Sequence, residues 1–200
     1  MSRPQHRDHA GAKLGMWLFL LTELFLFGGM FLLYGAYLVR YPREFAAAGR
    51  EMQLWFGTVN TVILITSSLM AAMAVTAIQR GGRRLAVWLL GGAVICGAVF
   101  LINKYLEWSH EFSRGIYPGS SRLAAAPPGE SVFYSLYYVT AGLHGLHVLI
   151  GSVLLAVVAV WAWRGTIHAG DFAWLENSAL YWHLVDLVWI FIFPLYYLIL

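Results

Sequence analysis

The chain has 200 residues, 60% of them hydrophobic and 12% charged, with a formal net charge of +3. A water-soluble domain is about 45–50% apolar and about 25% charged, so this composition excludes an ordinary soluble enzyme and points to lipid as the main solvent. No run of Lys or Arg is long enough to hold a nucleic acid, and the single cysteine, Cys96, lies in an apolar stretch with no second thiol to pair with.

Positions 1–13 form a polar N-terminal tail with Arg3, Arg7 and Lys13, and His6 and His9 there are read as solvated. A basic start before an apolar run imitates a secretion signal. The run that follows, 14–39, is longer than a signal's apolar region and no small-residue cleavage site follows it, so it is expected to stay as a first helix. A bilayer core of about 30 Å needs roughly 20 apolar residues to cross. Five stretches meet that length: 14–39, 54–78, 85–108, 131–163 and 178–200. The expected fold is therefore all-α, a single transmembrane domain of five helices over 14–200. The fourth stretch exceeds the need and is expected to protrude. The connections are short except for 109–130, a polar loop with Pro118, Pro127 and Pro128, and Ser131 at its end has the chemistry of a helix N-cap.

Loop cations set orientation. On the N-terminal side lie Arg3, Arg7, Lys13, Arg80, Arg83, Arg84 and Arg164; on the other lie Arg40, Arg43, Arg50, Arg114 and Arg122. The excess, together with the crowding of three arginines into one turn, predicts a cytoplasmic N-terminus and an outer C-terminus.

A charge near the bilayer centre costs about 2.5–3.5 kcal/mol on insertion scales, so ionisable residues inside the spans demand a reason. Glu23 lies about 13 Å into the first span and Asp186 about 12 Å into the fifth at 1.5 Å per residue, so in parallel helices they reach a similar depth. Glu23 has no basic neighbour one turn away and is expected to be neutral. His144 and His147 share a face of the fourth span, His183 and Asp186 a face of the fifth, and Lys104 and Glu107 a face of the third. The Lys104–Glu107 pair can serve as a structural ion pair that reaches the interface or snorkels. His144, His147, His183 and Asp186 can form one buried network joining the fourth and fifth spans. Gly57, Asn60 and Ser67 on the second span are expected only to glue helices. His144 or His147 with His183 could supply two axial ligands to a haem, but the ligand set is poor for a di-metal centre and no haem-attachment motif is present.

Three stretches together resemble subunit III of the haem–copper oxidases, the cytochrome c and quinol oxidase family. These are GMWLFLLTELFLFGG at 15–29, with Glu23; TAGLHGLHVLIG at 140–151, with His144 and His147; and YWHLVDLVWIFIFP at 181–194, with His183 and Asp186. Glu176 just before the last stretch, VNTVILITSS at 59–68, and Lys104–Glu107 also resemble that family's pattern. The likeness runs from about 14 to 200 and is to the five-helix bacterial version, which lacks two N-terminal helices of mitochondrial-type members.

The resemblance implies a non-redox, non-catalytic subunit of a respiratory complex in the bacterial inner membrane, without catalytic, cofactor or metal residues of its own. Haem and copper would reside in subunits I and II, with subunit I as the main docking partner, and structural phospholipid would be held at this chain. Its expected roles are assembly, lipid binding, and proton and oxygen access to subunit I during oxygen reduction. The accessory subunit of nitric oxide reductases shares the pattern. An intramembrane haem or metal enzyme and a proton channel using Glu23 and Asp186 are readings from other classes.

Overall fold

The computed structural model describes residues 9–198; the tail at 1–8 with Arg3, His6 and Arg7, the side chain of His9, and positions 199–200 lie outside the described residues. Apart from an isolated bridge between His168 and Asp171, the regular structure described is helical: α1 (His9–Arg40), α2 (Pro42–Glu51), α3 (Leu54–Gln79), α4 (Arg83–Ser113), α5 (Ser121–Ala125), α6 (Pro128–Arg164) and α7 (Ala173–Tyr197). Five of these, α1, α3, α4, α6 and α7, are long and apolar enough to cross a membrane. They coincide with the five expected spans.

The helices overrun the expected bounds because hydropathy locates only the part that sits in hydrocarbon. The backbone helix continues until Gly or Pro stops it. The turn after α3 is made by Gly81 at φ +78°, and α6 ends at Gly165 at φ +82°, whose N–H bonds back to the Ala162 and Trp161 carbonyls. Ser131 is not an N-cap: α6 starts three residues earlier, at Pro128, with Pro127 in the cap position, because proline's fixed φ suits the first helical turn. The 109–130 segment is also more regular than expected. Its start continues α4 to Ser113, and it contains α5, whose first turn is capped by Ser120 Oγ accepting from Leu123 N–H at 3.2 Å. α2 was not anticipated. Its periodic Phe45, Ala48 and Gly49 are buried while Arg43, Arg50 and Glu51 stay out, a pattern too short to register as a span.

α3 and α4 form the most extensively packed pair, α6 lies against α4 and α7, and α7 closes onto α3. α1 packs on α2, α6 and α7, and among the described residues does not reach α3 or α4. Its outer face leaves Trp17, Phe25, Leu32 and Val39 exposed. α1 and α7 run parallel: Lys13 pairs with Glu176 at 2.9 Å at their starts, and Tyr34 donates to the Leu195 carbonyl at 2.5 Å near their ends.

With lipid outside, close backbone approach and interhelical hydrogen bonds hold such a bundle together. Asn103 Nδ2 donates to Asn60 Oδ1 at 3.1 Å, joining α4 to α3. Trp182 Nε1 donates to Ser67 Oγ at 2.8 Å, joining α7 to α3. Gly57, Gly97 and Gly151 leave room for neighbouring side chains; a Cβ on Gly151 would lie 2.7 Å from Trp182 Cε3, and one on Gly57 2.7 Å from Phe193 Cε2. Gly151→Ala is expected to lower stability in a thermal melt by about 1–3 kcal/mol, as overpacking does. Gly29→Ala, with open space around the added carbon, is expected to leave the melt unchanged or raise it slightly.

Candidate functional site

The ionisable residues of the spans fall into separate clusters rather than one network. The first joins α1 to α6. His147 Nε2 lies 2.9 Å from Glu23 Oε2, and His147 Nδ1 lies 2.7 Å from the Leu143 carbonyl. A carbonyl can only accept, so Nδ1 carries a proton and donates it there. One further proton must then lie between Nε2 and Oε2, and on whichever atom it rests the pair has no net charge. Glu23 is thus not alone at depth, as its own helix implied; its partner comes from another helix, 124 positions away in sequence. Phe27 sets its ring edge to His147 at 5.3 Å, and Tyr181 donates to the His147 carbonyl at 3.3 Å.

The second cluster corrects the expectation that Lys104 and Glu107 reach the interface. Lys104 is 5% exposed and Glu107 fully buried. Lys104 Nζ donates to Glu107 Oε2 at 2.9 Å, to Tyr137 OH at 2.9 Å and to Tyr197 OH at 2.6 Å. Both tyrosines in turn donate to Glu107 Oε1, Tyr137 at 2.6 Å. The ammonium also lies 5.1 Å from the Trp189 ring centroid. Tyr137 comes from α6 and the other two rings from α7, so the pair is covered by helices its own sequence neighbourhood does not include. A buried ion pair persists only when its remaining hydrogen-bonding capacity is met, and here two hydroxyls meet it.

The third group lies where α7 faces α3. His183 and Asp186 do not bond each other. His183 Nδ1 instead lies 2.7 Å from Ser68 Oγ of α3. Neither Asp186 oxygen has a hydrogen-bond partner among the described residues. His144 likewise does not join His147. Its ring is wholly buried with neither nitrogen partnered among the described residues, 5.2 Å from the Trp189 ring and edge-on to Phe100 at 5.5 Å. Glu176 sits apart, half-exposed, on Lys13.

The expected single network of His144, His147, His183 and Asp186 therefore does not form. Helical spacing places two side chains on one face but does not turn them toward each other; each is drawn to whatever the neighbouring helix offers. Ser68, Tyr137, Trp189 and Tyr197 were missed as members. Tyr137, nine residues inside α6, could have signalled a buried hydroxyl seeking a charge. Among the described residues no three His, Cys, Asp or Glu side chains gather to hold a metal ion. The clusters can neutralise charge and fix helices against one another.

Comparison with known proteins adds to this geometry. The family described as Cytochrome c oxidase subunit III matches residues 5–199. The chain is 28% identical to the cytochrome bo(3) ubiquinol oxidase subunit 3 of Pseudomonas aeruginosa, over 96% of this chain and 87% of that one. It is 33% identical to the cytochrome c oxidase subunit 3 of Thermostichus vulcanus, over 93% of this chain and 86% of the relative. It also matches, at 28% identity over 92% of its length, 22% of the heme-copper oxidase subunit I+III of Aeropyrum pernix.

Proposed function

This chain belongs to the cytochrome c oxidase subunit III family, and from that premise we propose that it is the non-redox subunit of a respiratory haem–copper oxidase, docked in the membrane against subunit I. The observation that carries this is the match over nearly the whole chain, 5–199. The Aeropyrum relative, whose name joins subunits I and III in one polypeptide, supports adjacency to subunit I. Relatives named for cytochrome c and for ubiquinol oxidases favour oxygen over nitric oxide as the complex's substrate and leave either electron donor possible. Haem and copper would belong to subunits I and II.

The role supported by the geometry is to present a stiff, charge-neutral bundle. Glu23–His147 fastens the loosely packed α1 to α6, and Lys104–Glu107 with its tyrosines fastens α4, α6 and α7. The exposed apolar face of α1 is then available to lipid or to a partner. The rigid bundle supports assembly and shapes how oxygen and protons approach the neighbouring subunit. The cation count supports a cytoplasmic N-terminus and an outer C-terminus in a bacterial inner membrane.

Solubilised in mild detergent and captured by a tag, the chain is expected to bring down a larger polypeptide that carries a haem Soret band. Capture of the chain alone, itself coloured by haem or consuming oxygen, would overturn the assignment.

A further inference from the structure

A groove of about 580 Å³ opens between α1 and α7, walled by Leu21 and Leu24 of α1 and by Leu184 and Leu187 of α7, with His183 among its lining residues. Its walls are otherwise leucine and Trp17, which stands one turn along α1 from Lys13. The His183 ring is half-buried and already oriented. Its Nδ1 lies 2.7 Å from Ser68 Oγ of α3, while its Nε2 has no hydrogen-bond partner among the described residues. Glu23, on the same stretch of α1, turns away to His147 of α6, so the groove is separate from that pair. Glu176, bound to Lys13, marks where α7 meets the polar layer. His183 comes seven residues later, about 10 Å deeper at 1.5 Å per residue.

A nitrogen at that depth has no water to meet it. A phospholipid keeps its phosphate and ester groups in the interfacial layer and offers only acyl chain where His183 lies. The groove therefore suits a molecule that is apolar along its length and carries a hydrogen-bonding oxygen on the part that enters hydrocarbon. We propose that it seats an isoprenoid quinone, with one ring oxygen on His183 Nε2 and the ring and first isoprene units between the leucines. The volume falls within the range of about 300–1,000 Å³ usual for small-molecule sites, which are mostly apolar with a few placed polar groups. The Ser68 hydroxyl can donate or accept, so either tautomer of His183 is open. With Ser68 donating to Nδ1, Nε2–H donates to a quinone carbonyl. With Nδ1–H donating to Ser68, Nε2 accepts from a quinol hydroxyl. The imidazole thus meets both forms of the ligand without carrying a charge. The site rests on the membrane-spanning fold and not on the assignment of a partner subunit.

The test is photolabelling of the full chain, purified as it occurs and held in phospholipid nanodiscs, with an azido-quinone bearing a short isoprenoid tail. Labelled peptides are located by mass spectrometry. Label is expected on the α1 peptide with Leu21 and Leu24 and on the α7 peptide with Leu184 and Leu187. An unlabelled quinone of the same tail is expected to compete, and the same tail on a benzene ring without oxygens is expected not to. His183→Leu is expected to reduce the label about tenfold, the scale of one lost buried hydrogen bond. Leu21→Trp, at a half-exposed position, fills the groove without touching His183 and is expected to abolish the label, which keeps the proposal testable if the His183 variant is poorly made. Label spread equally over the exposed faces of α3 and α4, at Trp55, Ile65 and Ile95, would show mere partition into lipid and overturn the site. So would equal label in both variants, or equal competition by the oxygen-free analogue, which would make the groove an unselective apolar slot. Recovery of a haem-bearing companion is scored separately, so a failure of the subunit assignment is not mistaken for a failure here.

Discussion

Glu107→Leu is expected to lower the stability of the purified chain by about 3–5 kcal/mol, the scale of breaking one side of a buried ion pair. Lys104 would keep its charge with only hydroxyls and ring faces around it, and Tyr137 and Tyr197 would lose the carboxylate oxygen they share. The companion variant Lys104→Met with Glu107→Leu is expected to recover most of that loss. An apolar pair of similar volume removes both charges at once, and the two tyrosine hydroxyls, 3.1 Å apart, can still bond each other. The measurement is a melting or denaturant midpoint in nanodiscs for the wild type, both single variants and the double. Additive losses in the double variant would show that the pair does not act as a unit, contrary to the geometry.

Glu23→Lys is expected to cost about 2.5–3.5 kcal/mol and to reduce recovery of α1-dependent assembly, because it places a cation at depth opposite the His147 nitrogen with no anion to meet it. Glu23→Gln is expected to be mild. The amide N–H₂ can donate to His147 Nε2 while Nδ1 continues to donate to the Leu143 carbonyl, so the link between α1 and α6 persists. The contrast is informative because this link ties α1 to α6 at depth, whereas Lys13–Glu176 and Tyr34–Leu195 hold α1 near its two ends. Equal recovery of partner subunits and equal melting of the wild-type and Lys forms would show that Glu23 does not anchor the helix.

Much of this molecule was legible in its sequence for a simple reason. Crossing a bilayer demands about 20 apolar residues in a row, and that demand writes itself into composition more strongly than any soluble fold does. The five spans, the parallel direction of the first and last, and the structural part played by Asn60, Ser67 and Gly57 follow from it. The ends of the helices were less legible. Ser131 has cap chemistry, yet Pro127–Pro128 sets the start of α6, and α2 is too short to stand out beside spans twice its length or more. The same insertion cost singled out Glu23, Lys104, Glu107, His144, His147, His183 and Asp186 as residues that need an explanation.

What the sequence by itself determined was which residues are expensive and how deep each lies, since both depend only on the residue type and its distance along one helix. The partners that offset the cost were decided by tertiary structure alone. His183 turns to Ser68 rather than Asp186, Glu23 meets His147, and Lys104 is roofed by Tyr137 and Tyr197. A hydrogen bond requires atoms to converge within about 3 Å, and convergence between helices is set by how they cross and rotate, which no spacing along a single chain segment contains.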